Sequence, residues 1–415
     1  MRILMLSWEY PPHLIGGLGR HVTDLTDALA QIGVEVHVVT PNLHHGDRYE
    51  ITAQGVHVHR VAVPPVADRT FFPLTQELNV ALRHAALELR RRVGGFDLIH
   101  AHDWLVASAG MTLKRSCHLP LLATIHATER GRQQGHLTTD LSVQIDRLER
   151  LLVSEAIRVI ACSHFMAHEI HVAFNAPREK INVVPNGVVV KPSPFGSDEE
   201  RLAFRRRFAR DDQPLVFSVG RVVYEKGFHV LVDAWSQVLT QFPQARLVIA
   251  GAGDYLDALR DRTHRTGLTD FVLFTGRISD DERDRLYHAA DAAVFPSLYE
   301  PFGIVALEAM AAKCPVVVAH AGGLAEVVKL HETGLTVYPN NADSLAWGIL
   351  HTLAHPDWSR QRASNAFHEV CTRYNWHAIA HSTLDVYRQA YEEWREAQRN
   401  AHTTAPLQFA GVYGP

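Results

Sequence analysis

Cysteine is scarce: Cys117, Cys162, Cys314 and Cys371 are the four in 415 residues, far apart and without C-x-x-C spacing. That speaks against a disulfide scaffold and a zinc ribbon, and it fits a reducing compartment. There is no basic excess either. Lysine and arginine number 41 against 45 acidic residues in mixed order, for a formal net charge of -4, whereas a phosphate-backbone binder carries a basic patch. Nucleic acid is therefore not an expected partner, and Arg90 to Arg92 simply solvate a helix end. No apolar run approaches the roughly 20 residues that cross a bilayer. "MRILMLSWEYPP" has too short an apolar part for a signal peptide, so a cytoplasmic location is expected. H-E-x-x-H and Asp-x-Asp are both missing. His100, His102 and Asp103 in "IHAHDWL" place two imidazoles on one side of an extended segment, but no third ligand can be nominated. Among 27 histidines, chance pairs such as His57 and His59 are expected, so the chemistry is read as metal-independent and without a cofactor. G-x-G-x-x-G is missing as well. "GGLG" at 16 to 19 runs into Arg20, His21 and Val22, and Thr40 and Pro41 stand where an acid would hold an NAD ribose, which argues against a dinucleotide oxidoreductase.

What is present is strand and helix in alternation, in a chain too long for one core. "RILMLS" is a short apolar strand stopped by Pro11 and Pro12, and "GRHVTDLTDALAQIG" repeats apolar residues at helical spacing. "VEVHVVTP", "GVHVHRVAV", "DLIHAH", "LPLLATIH", "AIRVIACS" and "INVVPNGV" continue as strands, with helical patterns near 77 to 93, 104 to 114 and 141 to 155. The alternation lapses at "VVVKPSPFGSDEE" and restarts with "LVFSVGR". Two α/β domains, each a doubly wound parallel sheet, are expected at 1–195 and 200–375. A last helix at 376–400 begins after the second sheet should be complete and is free to cross to the first domain. The tail at 401–415 carries too little pattern to assign. Two such sheets in series predict a cleft lined by the loops at the carboxyl ends of their strands.

Those loops hold the polar residues of interest. "LYEPFGIVALE" sets Glu300 and Glu308 eight residues apart, about 12 Å if fully helical, too far to share one glycosidic bond as an acid/base pair. They suit the two ends of one elongated ligand, with the amides of Gly303, Ile304 and Val305 at a helix N-terminus between them attracting phosphate. Taken alone, a glutamate on a helix surface more often faces water. "GRVVYEKGF" adds Arg221 and Lys226, an arginine fork and a mobile ammonium suited to a diphosphate leaving group. His126 ends the strand "LLATIH" at the cleft, where it either contacts a sugar hydroxyl or satisfies a turn.

Together, "EYPPHLIGGLGRHV", "HAHDWL", "TIH", "VPNGV", "GRVVYEKG" and "EPFGIVALE" resemble the family 4 retaining glycosyltransferases, which have the two-domain glycosyltransferase-B fold. The resemblance covers nearly the whole chain and is closest to bacterial glycogen and starch synthases and relatives of sucrose-phosphate synthase. It implies that Arg221 and Lys226 hold the diphosphate of a nucleotide sugar and Glu308 its ribose. Glu300 and the backbone of Phe302, Gly303 and Ile304 would hold the donor sugar. Gly17 and Gly19 would lie over the phosphates, and His126 would touch the transferred sugar. His126, Arg221, Lys226 and Glu300 are the expected catalytic group. The expected reaction moves glucose from ADP-glucose or UDP-glucose, with retention, to an α-glucan or related carbohydrate. Trp8, Tyr10 and Trp104 would supply stacking surface. The alternative acceptor is a hexose phosphate such as fructose 6-phosphate, clamped by Arg130 and Arg132. An epimerase or phosphorylase on the same fold, and a non-catalytic nucleotide-sugar sensor, are the remaining readings. Nothing in the residues points to an oligomeric state.

Overall fold

The computed structural model describes residues 1–44, 46–64 and 70–403, with side chains described to residue 400. The tail expected from Ala401 thus falls outside the described side chains. The first sheet contains β1 (Arg2–Leu6), β2 (Glu35–Asn42), β3 (Tyr49–Ile51), β4 (His57–Ala62), β5 (Leu98–His102), β6 (Leu121–Ile125), β7 (Arg158–Ala161) and β8 (Ile181–Val183). Their spatial order is β3-β4-β2-β1-β5-β6-β7-β8. Every pairing is parallel except β3 on β4. Ile3, Leu4, Met5 and Leu6 are all buried, because helices cover both faces and a parallel strand then needs apolar residues on both sides. The three-residue edge β3 was not anticipated from its sequence. Its Tyr49 and Ile51 are exposed, so no buried alternation marks it.

The second sheet contains β9 (Leu215–Val219), β10 (Arg246–Ala250), β11 (Val272–Gly276), β12 (Ala292–Phe295), β13 (Val316–Ala319) and β14 (Leu335–Val337), in the order β11-β10-β9-β12-β13-β14. All its pairings are parallel. These are two doubly wound α/β domains, as expected. In each, the strand order reverses beside the first strand, between β1 and β5 and between β9 and β12. Ligands bind in open α/β sheets at such switch points, beyond the strands' carboxyl ends.

Helix boundaries differ from the sequence pattern in explicable ways. The helix expected from 77 begins six residues earlier, as Phe71–Val93. Pro73 lies in its first turn, where no N–H partner is required. The segment at 104 starts as a short 3-10 turn, Trp104–Val106, before the α-helix Ala107–Cys117. The terminal helix Trp376–Thr403 packs against the first domain. Its Ile379, Ala380, Leu384 and Tyr387 share a buried cluster with Ile3, Met5, Leu25 and Leu29. Tyr387 Oη also lies 2.9 Å from His100 Nδ1. Among the described residues, no helix is long and apolar enough to cross a membrane.

Candidate active site between the two domains

The domains touch across the cleft. Tyr299, in the loop after β12, reaches into the first domain and donates from its hydroxyl to Glu169 Oε1 at 2.9 Å. Ser163 Oγ donates to the Pro301 carbonyl at 2.7 Å, and the amides of His164 and Phe165 donate to Glu326 at 3.0 and 2.7 Å. Arg20 pairs with Asp280, and Lys191 with Asp284 at 2.8 Å. Two cavities remain between these contacts, and Ile304 lines both.

The cavity of about 430 Å³ collects residues from both switch points. From the first domain come Glu9, Gly16, Gly17, Asp103, Trp104, His126 and Arg132; from the second come Arg221, Lys226, Glu300 and the helix start Phe302 to Val305. Gly303 caps the helix Ile304–Ala311 with φ 106. A β-carbon there would strike Leu324 Cδ2 at 2.5 Å, so both conformation and space demand glycine. Lys226 Nζ donates to Glu300 Oε2 at 2.7 Å, and Ser297 Oγ donates to the same oxygen at 3.1 Å. Arg221 is half-exposed and, among the described residues, makes a single long polar side-chain contact, 3.5 Å, to Glu225. Its fork is thus free to turn toward an anion.

Glu308 does not share this cavity. It lies four residues into the helix and lines the second one, of about 460 Å³, with Arg20, Asp24, Asp280, Arg283 and Tyr287. Arg283 Nη1 stands 3.4 Å from Glu308 Oε1, and the Tyr287 hydroxyl donates to Oε2 at 3.4 Å. Burial pushes the Glu308 carboxyl up from its ordinary range, and the Arg283 charge opposes the shift. The two glutamates therefore line separate cavities, both of which Ile304 borders.

The glycine loop holds a residue that sequence reasoning missed. Glu9 Oε2 accepts from the amides of Ile15, Gly16 and Gly19 at 2.9, 3.1 and 3.3 Å. Successive N–H groups of this kind form an anion nest, and here a carboxylate of the same chain fills it. Gly19 is consequently not at the cavity wall; a β-carbon there would meet Leu14 at 2.5 Å and Glu9 at 2.9 Å. Gly17 does line the cavity, with its Cα facing Ile304 of the other domain. The single signal available was the glutamate preceding the prolines in "WEYPP", which has no local partner.

His126 follows β6. Its amide donates to Asp103 Oδ1 at 2.7 Å and its Nε2 lies 3.0 Å from His102 Nδ1. Burial, then the Arg132 charge, lowers its pKa to about 3, so the ring is neutral. Burial pushes Asp103 up to about 6. Helix 1, Gly17–Gln31, brings His21 beside this pair, and nitrogens of His21, His102 and His126 lie within 4.8 Å of one another. Of the pair His100 and His102 read from the sequence, only His102 belongs to this group; His100 is engaged by Tyr387 and Thr124 instead.

The candidate acceptor residues divide. Arg132 lines the cavity, with its nearest carboxylates, on Glu129, Glu149 and Asp103, at 3.6, 3.8 and 4.0 Å. Arg130 does not; its guanidinium forms a two-point pair with Asp146 at 2.6 and 3.1 Å. Trp104 borders the cavity but is itself only 4% exposed, so the open aromatic surface there is that of half-exposed Phe71. Trp8 and Tyr10 are each 3% exposed and line neither cavity. Trp8 packs edge-on against Phe71, and the Tyr10 hydroxyl contacts Thr26 at 3.3 Å. Both are core residues: Trp8 belongs to a buried cluster with Leu4 and Leu6, and Tyr10 to one with Ile3 and Met5.

Residues 15–191 match Glycosyltransferase Family 4, and residues 200–369 match Glycosyl transferases group 1. An uncharacterized glycosyltransferase of Methanocaldococcus jannaschii is 39% identical over 401 residues, covering 94% of this chain and 99% of that protein. The chain belongs to glycosyltransferase family 4. It is a nucleotide-sugar-dependent glycosyltransferase with the glycosyltransferase-B fold. The glycosyltransferase is also 37% identical to the glycogen synthase of Mycobacterium tuberculosis over 412 residues, covering 96% of this chain and 97% of that one. Among solved structures, sucrose-phosphate synthase from Thermosynechococcus elongatus superposes with a TM-score of 0.80 at 27% identity, over 94% of this chain and 99% of that one.

Proposed function

We propose that the enzyme transfers a glucosyl unit, with retained configuration, from ADP-glucose or UDP-glucose to a hexose phosphate. In this reading the nucleoside occupies the Glu308 cavity, with Glu308 accepting from the ribose hydroxyls. The diphosphate passes Ile304 to the amides at the helix start, where Arg221 and Lys226 meet the charge that grows on the leaving group. Glu300, held by Lys226 and Ser297, orients the sugar, and neutral His126 contacts it from the other domain. Glu300, the carboxylate placed at the sugar, is engaged by Lys226 and Ser297. The acceptor hydroxyl therefore passes its proton to the departing diphosphate oxygen, and the new C1–O bond forms on the face from which the old one breaks.

The observation that carries the acceptor is Arg132. Its guanidinium faces the cavity at distances from carboxylates longer than a hydrogen bond, so its donors are available to a phosphate. Burial pushes Glu149 up to about 8, which favours its neutral form beside the arginine. The expected glucan platform is weakened in turn, because Trp8 and Tyr10 are buried. Similarity to a sucrose-phosphate synthase structure supports the same choice. The Phe71 and Trp104 wall, with the likeness to a glycogen synthase, favours a glucan acceptor as the second reading.

Purified enzyme incubated with each donor against fructose 6-phosphate, glucose 6-phosphate, glucose 1-phosphate, maltooligosaccharides and glycogen, with product masses recorded, decides between them. A phosphorylated disaccharide is expected. Elongated glucan with no phosphorylated product overturns the proposal.

A further inference from the structure

We propose that His21, His102 and His126 form a binding site for a divalent transition-metal ion of the zinc class, and that its occupancy stops transfer. The three imidazoles come from three elements, the first helix, the end of β5 and the residue after β6, and their nitrogens converge within 4.8 Å. His21 is already oriented as a ligand. Its Nδ1 lies 2.7 Å from Asn186 Oδ1, so Nδ1 carries the proton and Nε2 presents a lone pair. A hydrogen-bond acceptor behind a histidine fixes a ligating ring in this way.

A second observation is independent of that geometry. Among the described residues, His21 Nε2 and His102 Nε2 are buried with no partner, and both residues are almost wholly inaccessible. Buried polar atoms are ordinarily paired, and two orphaned ring nitrogens in one cluster leave an unmet demand for a ligand. Burial also holds all three rings in the neutral form that coordinates metal. The donor set is all nitrogen, which selects zinc, cobalt, nickel or copper over magnesium or calcium. His126 borders the cavity, so water or a substrate hydroxyl has access to a fourth position, as in three-ligand zinc sites.

Zinc with Zn–N bonds of about 2.0–2.1 Å holds tetrahedral nitrogens about 3.3 Å apart. His102 Nδ1 and His126 Nε2 already stand 3.0 Å apart, so metal bonds replace their mutual hydrogen bond and fix the ring of His126, the member at the cavity wall, which is then lost to the sugar. The inhibitory half of the proposal rests on the reading of His126 as a donor-sugar contact.

The test uses the full chain, free of any affinity tag and treated with chelator. Cobalt(II) titration should give one equivalent with the intense visible absorption of a four-coordinate site, displaced by zinc. Each of His21→Gln and His102→Gln should weaken the binding at least tenfold. X-ray absorption of the zinc-loaded wild type should count three imidazole ligands, which covers the case in which a variant fails to fold. Wild-type transfer should fall over the same zinc range. Absence of the absorption, fewer than three imidazoles, or unchanged affinity in both variants while they retain their circular dichroism overturns the site. Such a result leaves the donor reading intact. Metal binding with transfer unaffected overturns the inhibition and, with it, the assignment of His126 to the donor sugar.

Discussion

Lys226 Nζ donates to Glu300 Oε2 at 2.7 Å, joining the loops that follow β9 and β12 at the switch point of the second sheet. Each residue holds the other in place before any donor arrives. In the proposed reading the lysine faces the leaving diphosphate, and the glutamate accepts from the lysine and from Ser297. Lys226→Ala should lower kcat by 10²- to 10³-fold, since loss of one donor to developing charge raises the barrier by about 3–4 kcal/mol. The dissociation constant for free nucleoside diphosphate should change less than tenfold. Steady-state kinetics beside calorimetry make the comparison, and equal losses in both would remove Lys226 from the leaving-group role.

Glu308 sits in the other compartment and should act on binding. Glu308→Ala should raise the donor dissociation constant about tenfold or more, from loss of a charged hydrogen bond worth about 1.5–3 kcal/mol. Arg283 keeps Asp280 and Asp284 as partners at 3.1 and 2.7 Å, so the fold should survive the change. Unaltered nucleotide affinity would place the ribose elsewhere.

Gly131 marks where the domains press together. A β-carbon there would lie 2.2 Å from Tyr299 Cζ and Oη. Gly131→Ala should therefore push the domains apart, seen as a larger radius of gyration in small-angle scattering and a loss of activity. Adding Tyr299→Ala should restore the compact radius. A compact Gly131→Ala single variant would show that the ring simply rotates away.

Arg130 and Arg132 should separate cleanly. Arg132→Ala should raise KM for a hexose phosphate at least tenfold, while Arg130→Ala, whose partner Asp146 lies outside both cavities, should change it by less than threefold. Initial-rate measurements on both variants suffice. The reverse order would move the phosphate site to the Asp146 side.

Glu149 gives a pH prediction. Burial raises its folded pKa to about 8, against about 4.3 in an unfolded chain. Between those values the folded state keeps a proton that the unfolded state has released, so this group's contribution to stability falls as pH rises and is fully lost above about 8. Glu149→Gln keeps a carbonyl oxygen for the Glu129 amide, now bonded at 2.9 and 3.0 Å, and has nothing to titrate. Thermal melts across that window should show a shallower decline for the variant. Parallel curves would mean that Glu149 is ionised in the folded state.

Much of this was legible in the chain itself. Apolar strands alternating with helical spacing specify two parallel sheets, because a strand buried on both faces must read as a continuous apolar run. The loops at the strand ends then name Arg221, Lys226, Glu300 and His126, since the positions bordering a cleft follow from topology. The spacing in "LYEPFGIVALE" named Glu308 beside Glu300, and the family resemblance assigned it to the ribose. Sequence could not say that Glu9 fills the amide nest of the glycine loop, that Tyr10 turns into the core, or that Arg130 is spent on Asp146 while Arg132 is not. Nor could it bring His21 beside His102 and His126, or divide the two glutamates between cavities that Ile304 borders. Each of these depends on contacts between residues distant along the chain. Periodicity and spacing record which face a residue takes within its own element, whereas the partner it meets there is decided when helices, sheets and domains pack.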